Sequence, residues 1–108
     1  MNGIYLKFFV LEKQMHQHMP VYEWLLEHAK KSGINGGSAF RTIAGYGRHH
    51  KLHEDRFFEL QGDLPVEVVF AVSSEQSEQF LSDLRKEGLD IFFIRMPVEF
   101  EMTLGSMD

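Results

Sequence analysis

The sequence predicts an α+β domain in which two helices cover one face of an antiparallel sheet. The elements follow in the order βαββαβ, with one further strand at the C-terminal side. Three observations carry this. Short apolar runs rich in aromatic and β-branched residues occupy Ile4 to Leu11, Val66 to Val72 and Ile91 to Met96. Two stretches around Trp24 and Phe80 instead space their apolar residues three and four apart. Gly and Pro stand at the joints.

Each element has its own local grounds. Ile4 to Leu11 is a nearly continuous apolar run and reads as a buried strand, whereas Glu12 to Met19 is polar and reads as a loop. Pro20 suits the first turn of a helix, where its missing N–H costs nothing. Val21, Trp24, Leu25 and Ala29 then share one helical face; Lys30 and Lys31 suit the negative end of the dipole, and Gly33 the position past it. Gly36-Gly37 leads into a second strand, Ser38 to Tyr46. Residues 45–63 lack a sustained period and read as a long excursion. Leu64-Pro65 opens a third strand, Val66 to Val72. Ser73 with Gln76 fits a capping box for a second helix, with Phe80, Leu81 and Leu84 as its apolar stripe and Gly88 as its stop. Ile91 to Met96 is strand four. After Pro97, Val98, Phe100, Met102 and Leu104 alternate with Glu99, Glu101 and Thr103, the period of a half-buried fifth strand. This is a ferredoxin-like βαββαβ sandwich with an additional C-terminal strand, and one domain over 1–108.

Bulk composition narrows the function classes. The 108 residues carry a formal charge of −5, which argues against general nucleic-acid binding. No cysteine is present, so disulfides, thiolate catalysis and Cys-based zinc sites are excluded. The opening MNGIYLKFFVLEK has no basic segment before its apolar stretch, and no run reaches the ~20 apolar residues of a membrane helix. A cytoplasmic protein without direct membrane insertion is expected.

Both faces of the predicted sheet carry large apolar side chains. Strand one alternates Ile4, Leu6, Phe8 and Val10 with Tyr5, Lys7, Phe9 and Leu11. Two short helices cover one face, so the other is expected to be covered by self-association, or else by residues 45–63 folding back.

The densest chemical constellation is Gly45-Tyr46-Gly47-Arg48-His49-His50, continuing to His53 and Arg56. Two glycines flanking an aromatic permit close backbone approach to an anion, with Arg48, Lys51 and Arg56 as donors. On residue types alone, a bend with solvated His and Arg weighs slightly more. His49 and His53 have the spacing of ligands on one helical face, which opens a metal reading; His16 and His18 lie in another loop. No nucleophile with a base is evident, and no catalytic residue is expected.

The segment GINGGSAFRTIAGYGR, followed by GDLPVEVVFAV, resembles the signature region of the PII-like signalling superfamily, in its uncharacterised branch. The resemblance extends to Pro20 and Tyr22 at the helix start, to His53, and to about nine-tenths of the chain. It implies a ferredoxin-like homotrimer with sheets facing inward, adenine nucleotides held in clefts between subunits, and a T-loop at 46–62 that docks on partner proteins. Gly37, Gly45, Tyr46, Gly47, Arg48 and His49 would line the cleft from one side, Gly88 and Leu89 from the other.

Typical PII proteins have a Lys where this chain has Val66, a basic residue near Leu89-Asp90, and arginines near Glu99 and Glu101. Each missing cation removes a charge-assisted phosphate contact. The expectation is therefore a less charged nucleotide such as AMP, bound as a regulatory ligand rather than a cofactor, by a protein that is not an enzyme. The partner implied is a protein such as a membrane transporter. The alternative is a metal-binding trimer using His49 and His53.

Overall fold

Asn2–Leu11 forms β1, the strand around which the rest is arranged. The structure, a computed structural model, describes residues 1–46 and 64–105. After β1 come β2 (Met15–His16), β3 (Met19–Pro20), α1 (Val21–Lys31), β4 (Gly37–Arg41), β5 (Pro65–Val72), α2 (Ser74–Lys86) and β6 (Phe92–Glu99). Four strands make one sheet in the order β4-β5-β1-β6, every neighbouring pair antiparallel. This is the predicted ferredoxin-like arrangement, with α1 packed on β5 and β4 and α2 on β1.

Strand alternation sets the two faces. Leu6, Phe8 and Val10 of β1 and Val66, Val68, Phe70 and Val72 of β5 point to the helices, each at 4% exposure or less. They meet Val21, Leu25 and Ala29 of α1 and Phe80, Leu81 and Leu84 of α2. Phe8 sits at the centre, its ring 5.7 Å from Phe80, 5.6 Å from Phe93 and 6.2 Å from Phe70. Burying one such side chain contributes about 1.5–3 kcal/mol. On the other face Phe9 pairs with Phe92, Lys7 with Ile94 and Tyr5 with Met96, and neither α1 nor α2 lies on that side. Phe40, Phe92, Ile94 and Met96 stand 57%, 51%, 39% and 45% exposed there.

Local chemistry explains both helix ends. Ser73 accepts from the Gln76 backbone N–H while the Gln76 side chain accepts from the Ser73 N–H, the capping box expected for α2. Both helices stop in the same way. Gly33 and Gly88 take positive φ, 83° and 74°. The next amides, Ile34 and Leu89, donate back to Ala29 and Leu84 at 3.0 Å each. This is the Schellman closure, with Ile34 and Leu89 folding onto the core.

The structure departs from expectation in four places. Glu12 to Met19 contains a hairpin rather than an open loop: β2 and β3 pair through His16 and Met19, and Gln17 and His18 turn the chain at φ 51° and 69°. Pro20 stands one residue before the helix, with Val21 N–H donating to the Gln14 carbonyl at 2.8 Å. The second strand ends at Arg41, not Tyr46. Its neighbour β5 begins at Pro65, and the last rung is Thr42 N–H to the Pro65 carbonyl, so residues 43–46 have no strand beside them among the described residues.

The additional C-terminal strand does not form separately. β6 runs on through Pro97, which an edge strand tolerates because its N–H can be spared. Pairing with β1 is used up at Asn2 and Glu99, plus the backbone bond from Phe100 N–H to the Met1 carbonyl. Phe100 then lies over Gly3, where a Cβ would meet its ring at 2.4 Å. Residues 101–104 find no neighbouring strand among the described residues, and Met102 and Leu104 are exposed.

Candidate ligand-binding site

The expected ligand residues fall into two groups. Gly37 opens β4 opposite Phe70, and a Cβ there would meet the Phe70 ring at 2.3 Å, so close packing demands glycine. It borders a shallow cleft of about 280 Å³ between the end of α1 and the sheet edge. Leu26, Ile34 and Phe70 form the apolar wall, and Lys30 and Asn35 bring polar groups to it. Gly45 and Tyr46 follow on the chain beyond β4, with Tyr46 74% exposed. Gly45 is uncrowded: a methyl group there would have Thr42 Cγ2 as its nearest atom, at 3.7 Å.

Gly88 and Leu89 form the second group. The positive φ of Gly88 and the inward turn of Leu89 are already required by the helix stop. They lead into β6, the sheet edge opposite β4. With β5 and β1 between, the two edges lie about 14 Å apart at the usual strand spacing. Among the described residues, Gly37 and the Gly88–Leu89 turn therefore lie at opposite edges of the sheet within one chain. Gly47, Arg48, His49 and His53 lie outside the described residues, as does the 46–62 loop beyond Tyr46. Among the described residues, no three of His, Asp and Glu are grouped as metal ligands.

The positions noted in the sequence as lacking a cation are also clear. Val66 is 4% exposed and faces the helices, so it belongs to the core. Asp90, Glu99 and Glu101 are exposed carboxylates.

A polar and aromatic network joins α1, the hairpin and α2. Trp24 and His28, four apart on α1, stack at 4.7 Å and 7°. His16 of β2 meets the Trp24 ring edge-on at 5.3 Å. Facing them along α2, Asp83 accepts from His28 Nε2 at 2.8 Å and from Gln79 Nε2 at 2.8 Å. One turn on, Glu87 takes His16 Nε2 and Gln17 Nε2, each at 3.0 Å. The hydrogen bond from His28 first, and that from Gln79 second, hold the Asp83 carboxyl below the ordinary 3.8, outweighing the upward push of burial. Sequence reasoning missed this network. Its signals were the Trp24–His28 step and the Gln79–Asp83–Glu87 ladder, each four residues apart.

The same layout is found in solved structures of CPII from Thiomonas intermedia K12. The form bound to ADP, AMP and acetate superposes with a TM-score of 0.59 at 15% identity, covering 97% of this chain and 96% of that one. A second form, bound to ADP and bicarbonate, gives 0.55 at 15% identity over 91% and 89%. CPII is described as a nitrogen regulatory PII-like protein. The fold is thus that of the PII-like proteins. The chain belongs to the DUF190 family ("Uncharacterized ACR"), whose model matches residues 3–99. A UPF0166 protein from Aquifex aeolicus (strain VF5) is 35% identical over 80 residues, 74% of this chain and 76% of its own length.

Proposed function

We propose that this chain is a cytoplasmic regulatory protein, a single domain over 1–108, which holds an adenine nucleotide between copies of itself. It assembles as a homotrimer with the open sheet faces inward. The observation that carries the reading is the match of nearly the whole chain to CPII, solved with ADP and AMP. Two features of the chain fit it. Gly37 on one sheet edge and Gly88–Leu89 beside the other would line one cleft only when a neighbouring copy supplies the second group. Among the described residues, Phe40, Ile94 and Met96 keep exposed apolar surface on the sheet face away from the helices, and its burial would favour assembly.

AMP suits the site better than ATP, because core-facing Val66 and the exposed Asp90, Glu99 and Glu101 offer no cation to a triphosphate. Arg48 and His49 would meet the phosphate from the other side. The 46–62 loop would report occupancy to a partner protein such as a membrane transporter, and no bond is made or broken. The test is a thermal-shift panel with AMP, ADP and ATP beside light scattering for mass. AMP at 100 times its Kd is expected to stabilise the protein by about 2.7 kcal/mol. A monomer, or no shift with any of the three, would defeat the proposal.

A further inference from the structure

The joint between α2 and β6 carries one set of contacts that helix capping does not need. Backbone bonds already shape the turn: Gly88 N–H donates to the Arg85 carbonyl at 3.1 Å and Leu89 N–H to Leu84 at 3.0 Å. These bonds close the turn on its own helix. They leave open where the turn lies relative to α1 and the β2–β3 hairpin.

Glu87, the last residue before the turn, supplies that link. Its Oε1 accepts from Gln17 Nε2 and pairs with His16 Nε2, each at 3.0 Å. Gln17 Oε1 in turn accepts from Trp24 Nε1 at 3.3 Å. The chain of contacts runs Glu87, Gln17, Trp24, with His16 closing it against the Trp24 ring.

Neither side of this contact is locally favoured. A carboxylate at the C-terminal end of a helix opposes the dipole, whereas Arg85 and Lys86 just before it have the favourable sign. Across from it, Gln17 and His18 occupy the left-handed region without being glycine. A hairpin of two-residue strands has little stability of its own. Each side gains from the other what its own segment lacks.

We propose that Glu87 is a positioning residue that ties the Gly88–Leu89 turn to the hairpin, so that a nucleotide seated against the turn is registered at Trp24. The nucleotide half rests on the proposed function; the mechanical tie does not. Trp24 is the single tryptophan of the chain, which makes its emission a direct reporter.

The experiment uses the full chain and has two arms. In the ligand-free protein, amide hydrogen exchange is followed at residues 15–19 and 87–91. Glu87→Ala is expected to speed exchange about five-fold in both segments, the loss of hydrogen bonds to a partly solvated charge. Glu87→Gln, which keeps an oxygen for Gln17, is expected to restore most of the protection. Gln17→Ala approaches the same contact from the hairpin and is expected to act on 87–91 as well. Unchanged exchange at 87–91 in both alanine variants overturns the tie.

In the second arm, AMP is titrated against Trp24 emission. Wild type is expected to give a saturable change, and Glu87→Ala to lose it while binding AMP about five-fold more weakly. A full-sized change in Glu87→Ala overturns the coupling. If wild type shows no response to AMP, ADP or ATP by emission or thermal shift, the nucleotide reading falls, and exchange alone decides the tie.

Discussion

The two faces of the central sheet are built from the same strands and nearly the same residue types, yet they meet different fates. On the helix side, Leu6, Phe8, Val68 and Phe70 are at most 2% exposed. On the other side, Phe92, Ile94 and Met96 of β6 and Phe40 of β4 keep about two-fifths or more of their surface, at 51%, 39%, 45% and 57%. Lys7 and Glu67 form an ion pair at 3.1 Å amid this second face. Apolar alternation thus identifies a face to be covered without saying by what. Among the described residues the two helices supply the cover on one side, and neither of them reaches the other.

The largest effect is expected at Phe8, on the helix-covered face. Phe8→Ala removes a ring that touches three others in a fully packed site, and is expected to cost about 3–5 kcal/mol in denaturant unfolding. A loss below about 1 kcal/mol would mean that the helix-covered face is not the core. The opposite face is expected to answer differently. Phe92→Ser with Ile94→Ser should leave far-UV circular dichroism unchanged while reducing the mass seen by light scattering. Under dilution to the monomer, unfolding is expected to shift by about 0.5–1 kcal/mol at most, as for exposed positions. Unchanged mass in this double variant would remove the sheet face from the assembly.

A smaller effect is expected between the two helices. Asp83 has its pKa lowered in the folded protein, chiefly by His28 and then by Gln79. A carboxyl with a depressed folded pKa contributes stability above its unfolded value, here 3.8, and loses it as pH falls through the folded value. Wild type is therefore expected to lose stability below about pH 4 more steeply than Asp83→Asn. With Asp83 and His28 side chains still 21% and 27% exposed, the difference at neutral pH is expected to stay under about 1 kcal/mol. Identical acid limbs in urea titrations would remove Asp83 from the packing between α1 and α2.

Much of the fold was readable locally. Ser73 and Gln76 announced the start of α2, and Gly88 its stop, because capping involves side chains and amides within a few residues. The same holds for Gly33 and α1. Where sequence reasoning failed, the deciding contact lay far along the chain. Nothing within 38–46 says that β4 must stop at Arg41; the start of β5 at Pro65 does. The alternation from Val98 to Leu104 is a sound strand pattern, but pairing with β1 ends near Met1 and Phe100 folds over Gly3 instead.

The candidate site divides in the same way. The sequence pointed to Gly37, Gly45, Tyr46, Gly88 and Leu89 as individual positions, and each has a definite place. That Gly37 must be glycine because of the Phe70 ring, and that Gly88 is first of all a helix stop, required the packed structure. The network through Trp24 could not be assembled from local pattern, since His16, Trp24, Asp83 and Glu87 meet across three elements. By itself, then, the sequence determined the kind and order of the strands and helices, because periodicity and capping are settled within one or two turns of chain. The tertiary structure decided where strands end, which apolar face stays open and which polar groups meet, because each of these depends on what another segment places alongside.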